Sequence, residues 1–229
     1  MKAEDIFEYI CDMVLGFFYP PRCSICERYI ENRSDILCEK CSSNILDIDC
    51  SYDSGLPLKE IWRLTKYKGG TQRIIIDVKF NKKMSKLPAI NKILQKVLSS
   101  SNKLKAMLKK IDVAIAVPLH VNREQERGFN QVELFFSEWL NHQNIAMERL
   151  ILRDRDTDHL YDKNRQEREK EVGGAFSVIE GAEAKIKGKK ILLLDDIFTT
   201  GTTMGECAKV LKSAGAAEVY GIALASDYD

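Results

Sequence analysis

Two adjacent carboxylates, Asp195 and Asp196, follow four consecutive apolar residues, Ile191, Leu192, Leu193 and Leu194. They precede Ile197, Phe198 and the run Thr199, Thr200, Gly201, Thr202, Thr203, which leads into the periodic stretch Met204 to Leu211 and then Gly215. An unbroken apolar run between charged residues suits a strand buried on both faces of a parallel sheet, with the carboxylates emerging at its carboxyl end. The stretch after it suits a helix that Gly215 closes. A helix start leaves backbone N–H groups unpaired and carries the positive end of the helix dipole, so an anion is favoured there. Threonine hydroxyls add neutral donors. Carboxylates on one side and an anion cradle on the other form a grip for a sugar phosphate.

A second set of residues can hold a metal. Cys23 and Cys26 form one Cys-x-x-Cys pair, Cys38 and Cys41 another, with eleven residues between the pairs. Two tight knuckles at this spacing supply four thiolates to a tetrahedral zinc ion, and four protein ligands leave no open position, so the expected role is structural. Redox pairing is the competing reading. Cys11, Cys50 and Cys207 are left over, and Cys207 falls in the helix after the phosphate loop, where it reads as a small core residue.

The stretch from Ile191 to Thr203 closely resembles the signature of type I phosphoribosyltransferases, in which two acidic residues hydrogen-bond the ribose hydroxyls of phosphoribosyl pyrophosphate (PRPP) and the following loop binds its 5′-phosphate. A second string narrows the resemblance. The strand-like Ile111 to Val117 ends in Pro118, Leu119 and His120, followed by Arg123, Arg127, Gly128, Phe129, Asn130 and Gln131. With the cysteine knuckle, it resembles the ComF family, whose members join a phosphoribosyltransferase-like domain to an N-terminal cysteine module. Many are linked to natural competence, the uptake of single-stranded DNA. The resemblance implies Asp195, Asp196 and Arg127 in catalysis, and PRPP contacts from Pro118, Leu119, His120 and the whole of Asp195 to Thr203. It implies Mg²⁺ bridging the pyrophosphate oxygens and a flexible loop, Arg153 to Gly174, whose Arg153, Arg155, Lys163, Arg165 and Arg168 reach the same group. The chain departs from the family at Leu160 and Glu171, where Gln and Asn are usual. His120 reads equally well as a helix cap.

These groups need a scaffold, and 229 residues suffice for one domain of ordinary size plus a small appendage, without disulfides. The expected fold class is α/β, a type I phosphoribosyltransferase-like parallel sheet with a small N-terminal zinc-binding module. Residues 1–52 would carry an apolar first helix and the knuckle, and residues 53–229 the α/β domain. Its expected elements are a strand at Ile61 to Tyr67, two basic helices, strands at Ile111 to Val117, Arg149 to Leu152, Lys190 to Leu194 and Glu218 to Ala225, and a helix from Asn130 to Leu140. Strand and helix alternate, which places ligands at the carboxyl ends of the strands.

Charge is unevenly placed. The net charge is +1, yet residues 59–110 hold fifteen Lys and Arg against Glu60 and Asp77, so this stretch carries +13 and the rest −12. Lys66, Lys68, Lys79, Lys82, Lys83 and Lys86, with Trp62, Tyr67 and Phe80 among them, suit a sequence-tolerant single-strand site that neutralises phosphates and stacks bases. A solvated lysine-rich face is the alternative. The first helix, Met1 to Phe18, is interrupted by Glu4, Asp5, Glu8 and Asp12, so neither a signal peptide nor a transmembrane segment is expected. Reduced cysteines and no export signal imply a cytoplasmic protein, held at the inner face of the membrane only through partners. Three functions fit: a ComF-like protein that binds PRPP with Mg²⁺ and single-stranded DNA in natural competence, an active phosphoribosyltransferase of nucleotide metabolism, and an adaptor docking a DNA-translocating ATPase. Nothing in the residues identifies an acceptor, so whether the chain is an enzyme stays open.

Overall fold

The computed structural model describes residues 20–32, 35–51, 55–156 and 173–227. The expected first helix with Cys11, the loop cations Lys163, Arg165 and Arg168, and the departures Leu160 and Glu171 lie outside them.

In chain order the elements are α1 (Glu39–Asn44), β1 (Asp49–Ser51), β2 (Ile61–Lys66), α2 (Gly69–Asn81), a 3-10 turn (Met84–Lys86), α3 (Leu87–Ser100), α4 (Asn102–Leu108) and β3 (Val113–Ala116). There follow α5 (Val121–Arg127), α6 (Gln131–His142), β4 (Ile151–Arg153), β5 (Phe176–Val178), α7 (Glu183–Ile186), β6 (Lys190–Phe198), α8 (Thr202–Ser213) and β7 (Glu218–Ser226). The main sheet has the order β1-β2-β7-β6-β3, parallel throughout except for the antiparallel edge strand β1. A separate antiparallel pair, β4–β5, stands beside it.

Successive strand residues face opposite sides, and the two hydrophobic cores follow that period of two. On one side Leu192, Leu194, Tyr220, Ile222, Trp62 and Leu64 meet Ile75 and Val78 of α2, Ile90 and Leu94 of α3 and Phe135 and Trp139 of α6. On the other Ile191, Leu193, Val219 and Ile115 meet Met204, Cys207 and Leu211 of α8, with Ile186 and Phe176. Both faces are therefore covered, as the apolar run of β6 requires, and Cys207 is the expected small core residue. Burying each of these large side chains contributes about 1.5–3 kcal/mol.

The cysteine segment is welded to this body. Cys23, Ile25, Ile30, Leu37 and Ile45 belong to the same core as α3 and α6, and β1 pairs with β2 across the expected division at residue 52. A Cβ on Gly70 would stand 2.1 Å from Ile25 Cγ2, so the knuckle seats on the start of α2 only because residue 70 has no side chain. Further links come from the basic helices: Lys86 Nζ donates to the Ser24 carbonyl at 2.8 Å, Arg73 Nη1 to that of Ile25 at 3.2 Å, and Lys96 Nζ to Ser42.

Candidate functional site

Asp195 and Asp196 sit near the end of β6, and their side chains part to opposite faces of the sheet. Asp196 turns toward α2 and α6: Lys79 Nζ lies 2.8 Å from its Oδ2, and Gln131 Nε2 donates to the same oxygen at 2.9 Å. Both charges are deeply buried, the Lys79 side chain 6% exposed and that of Asp196 8%. Gln131 Oε1 in turn accepts from Arg127 Nη1 at 2.7 Å, and Arg127 lies over the Phe80 ring at 5.3 Å. Burial alone would raise the Asp196 carboxyl, but Lys79, Gln131 and the Arg127 charge hold it below its ordinary value. Asp195, half-buried on the α8 side, is pushed up to about 8, by burial first and by the neighbouring Asp196 charge second. The two carboxylates thus differ: one is fixed as an anion, the other is poised to take a proton near neutrality.

The Thr-rich turn is sharply bent. Gly201 lies in the left-handed region (φ +76) and a Cβ there would meet Leu56 Cδ1 and Phe198 Cζ at 2.7 Å. The Thr200 and Thr202 hydroxyls are 2.8 Å apart, the Thr202 N–H donates to Thr200 Oγ1 at 3.4 Å, and the N-cap Gly201 has no side chain to cap the rest of the first turn.

The Pro118-Leu119-His120 turn leaves β3 at the same edge of the sheet. His120 caps α5, its Nδ1 accepting from the Asn122 N–H at 3.4 Å, with Asp156 Oδ2 also 3.4 Å away. The helix-cap reading of this residue thus has a structural basis. Asn130, 3% exposed, caps α6 while donating to the Val117 carbonyl at 3.1 Å, which ties that helix to the strand end. A bridge between His120 and Arg153 brings the end of β4 against the turn, and the Arg153 charge acts favourably on ionised Asp195. Arg155 donates to the Gly173 carbonyl, and the Gly174 N–H to Glu206 of α8 at 3.3 Å, so the loop is rooted beside the Thr-rich turn. Pro118, Leu119, His120, Asn130 and Arg153 line a cavity of about 420 Å³.

The four cysteines converge, each Sγ within 4.8 Å of the others and Cys26 Sγ 3.6 Å from Cys38 Sγ. Four sulfurs about 2.3 Å from a central zinc would stand about 3.8 Å apart, so the cluster could hold such an ion. The Arg28 backbone N–H draws the Cys26 thiol down to about 6.

The basic stretch divides unexpectedly. Lys79 belongs beside Asp196 in the interior, not on a solvent face, because it follows Ile75 by four residues and shares the buried stripe of α2 with it. Lys86 docks the knuckle, Lys83 pairs with Asp77 at 2.9 Å, and Lys82 reaches the Glu126 carbonyl at 3.4 Å. Lys66 and Lys68 stand elsewhere, lining a cavity at the seam between knuckle and sheet. The parts sequence reasoning missed are Lys79 as partner of the acidic pair and Gln131 as its second donor; the i, i+4 spacing from Ile75 was the available signal.

A Phosphoribosyl transferase domain model matches residues 150–227. The "DNA utilization protein YhgH" of Shigella flexneri is 26% identical over 219 residues, 92% of each chain. "Competence protein F" of Haemophilus influenzae is 31% identical over 52% of each chain, and "Competence protein ComFC" of Streptococcus pneumoniae 36% identical over 46% of this chain and 44% of its own. Among the described residues no helix is long and apolar enough to cross a membrane.

Proposed function

The chain belongs to the ComF family, with its phosphoribosyl transferase domain and four-cysteine cluster, and from that premise we propose that it binds PRPP with Mg²⁺ and handles single-stranded DNA in natural competence. The observation that carries the reading is the pair Asp195–Asp196 at the end of β6, leading through the left-handed Gly201 into the threonine-flanked start of α8. In this reading Asp195 accepts from the ribose hydroxyls, and Asp196 is held rigid beneath it by Lys79 and Gln131. The loop Thr199 to Thr203 takes the 5′-phosphate. The Pro118 to His120 turn, Arg127 and Arg153 face the pyrophosphate, Arg155 with the loop cations Lys163, Arg165 and Arg168 closing over it. Mg²⁺, when bound, would offset charge on the pyrophosphate oxygens. Zinc is the metal assigned to the four thiolates, and residues 1–52 are its structural module.

The cavity beside the turn supports a second reading, an active phosphoribosyltransferase, because space lined by polar groups next to the reacting carbon is what an acceptor needs. Fold and phosphate site alone do not establish turnover. Calorimetric titration with PRPP, with and without Mg²⁺, tests the shared claim. At pH 9, where Asp195 is ionised, Asp195→Asn should weaken PRPP binding by about 1.5–3 kcal/mol, the contribution of a hydrogen bond to a charged group. Unchanged affinity in that variant would remove the assignment.

A further inference from the structure

The seam between the cysteine module and the sheet encloses a second cavity of about 450 Å³, lined by Arg28, Lys40, Lys66, Lys68, Gly70 and Thr71 among others. Its charged lining is four cations against one carboxylate, Asp47. That carboxylate offsets little: Lys66 Nζ lies 3.5 Å from it, with both side chains more than 40% exposed. Arg28 leans on the Cys26 sulfur, which leaves Lys40, Lys66 and Lys68 to face the cavity.

Two further observations point to a ligand rather than a merely solvated face. The helix α2 starts here, thirteen residues long, with Lys68 as its N-cap in extended conformation and no side-chain cap. The first-turn N–H groups therefore have no acceptor in the helix. Thr71 in that turn is only 5% exposed, lines the cavity, and its hydroxyl has no hydrogen-bond partner among the described residues. An anion in the cavity can accept from that hydroxyl.

The donor set repeats that of the first site. In both places a parallel strand is followed by a helix whose start carries glycine and threonine: β2, then Gly69, Gly70 and Thr71 opening α2 here, and β6, then Gly201 capping and Thr202 opening α8 there. Since β2, β7 and β6 are parallel neighbours, both turns lie at the same edge of the sheet, two strand spacings or about 10 Å apart laterally. Ile25, Ile45 and Leu46 form an apolar wall beside the cations, a surface on which a sugar and base can rest while the phosphate faces the lysines.

We propose that the seam cavity is a second phosphate site, and that it takes a backbone phosphate of single-stranded nucleic acid. This rests on the DNA-handling reading above and gives it a location. Lys79 and Lys86 are engaged inside the protein, whereas Lys68 and Lys66, the latter with only an exposed 3.5 Å contact to Asp47, line the cavity.

The test is fluorescence anisotropy of the full-length, metal-loaded chain with a labelled thirty-nucleotide poly-dT. Lys66→Gln with Lys68→Gln should weaken binding at least tenfold and reduce the salt slope by about 1.4, at roughly 0.7 per phosphate. Thr71→Val, which keeps the side chain's shape, should weaken it about threefold. Lys103→Gln with Lys109→Gln removes equal charge from the same basic stretch and should leave affinity within twofold. PRPP affinity should stay within twofold in every variant, and melting temperatures will show that each folds. If the wild type binds poly-dT and the seam variants bind it equally well, the site is refuted while the DNA-handling reading stands. If the wild type binds no poly-dT, that reading fails and the strand assignment with it. Should inorganic phosphate then stabilise the wild type but not the Lys66/Lys68 variant, the cavity serves a free phosphate and the strand assignment is overturned.

Discussion

Lys79 keeps a charge where its side chain is only 6% exposed, and it does so because Asp196 Oδ2 stands 2.8 Å away. A buried pair of this kind adds little over an apolar pair of the same shape, but removing one partner strands the other, at a cost of about 3–5 kcal/mol. Lys79→Met should therefore lower stability by about that amount in urea unfolding, and adding Asp196→Leu should restore most of it. A double variant as unstable as the single one would deny the pairing. Asp195 gives the opposite sign. Its folded value, about 8, lies above the ordinary 3.8, so the folded state favours the protonated form, and its contribution to stability is lost as pH rises through this window. Asp195→Asn should gain stability relative to the wild type between pH 5 and pH 8, read as a growing difference in urea midpoints; a flat difference would count against the shift. PRPP affinity should rise over pH 7 to 9 as Asp195 ionises, since ribose hydroxyls donate better to a carboxylate than to an acid.

At the scale of elements the turns carry the function. Gly201→Ala meets both a left-handed backbone and two side chains at 2.7 Å, and should cost about 1–3 kcal/mol in thermal unfolding along with PRPP affinity. Gly70→Ala drives a methyl into Ile25, a stiff β-branched side chain. It should displace the knuckle and weaken poly-dT binding more than fivefold while PRPP binding stays within twofold. Pairing it with Ile25→Ala should return the loss, and failure of that rescue would separate the seam from the contact. Strand β6 was legible because burial on both faces leaves an unbroken apolar run, and α6 and α8 because each buries one stripe against the sheet. Helix α5 was not: Val121–Arg127 buries no residue, so no periodicity betrays it, and its capping by His120 and the left-handed Gly128 shows only in three dimensions. Strands β1 and β5, three residues each, are too short to leave a pattern, and the equally short β4 ends one residue C-terminal to the end of the strand expected at Arg149 to Leu152. The Asp195–Asp196 site was readable as a local string, whereas Lys79 and the seam cavity depend on which distant segments pack together.

The whole molecule joins a four-cysteine cluster to a sheet through a shared core, so removing a metal from that cluster should not affect the cysteine segment alone. Chelation should lower the melting temperature of the entire chain and reduce poly-dT binding, while PRPP affinity falls by less than about tenfold, because α8 and the Ile191/Leu193 face of β6 lie in the other core. Equal loss of both activities would show that the cores are not separable in this way. The knuckle's anchoring also sets an order of events during synthesis. Cys23 to Cys41 leave the ribosome before their docking partners Gly70, Arg73, Lys86 and Lys96 exist. At about 5–20 residues per second, roughly 3–10 s separate the last cysteine from Lys96. During that interval the thiols have no helix to rest on, and a metal captured by the four thiolates would hold Cys26 and Cys38, neighbours at 3.6 Å in the finished fold, out of oxidative pairing. Cells starved of zinc while making this chain should accumulate a fraction that migrates as a cross-linked species on non-reducing gels, whereas chain stripped of metal after folding should accumulate far less of it.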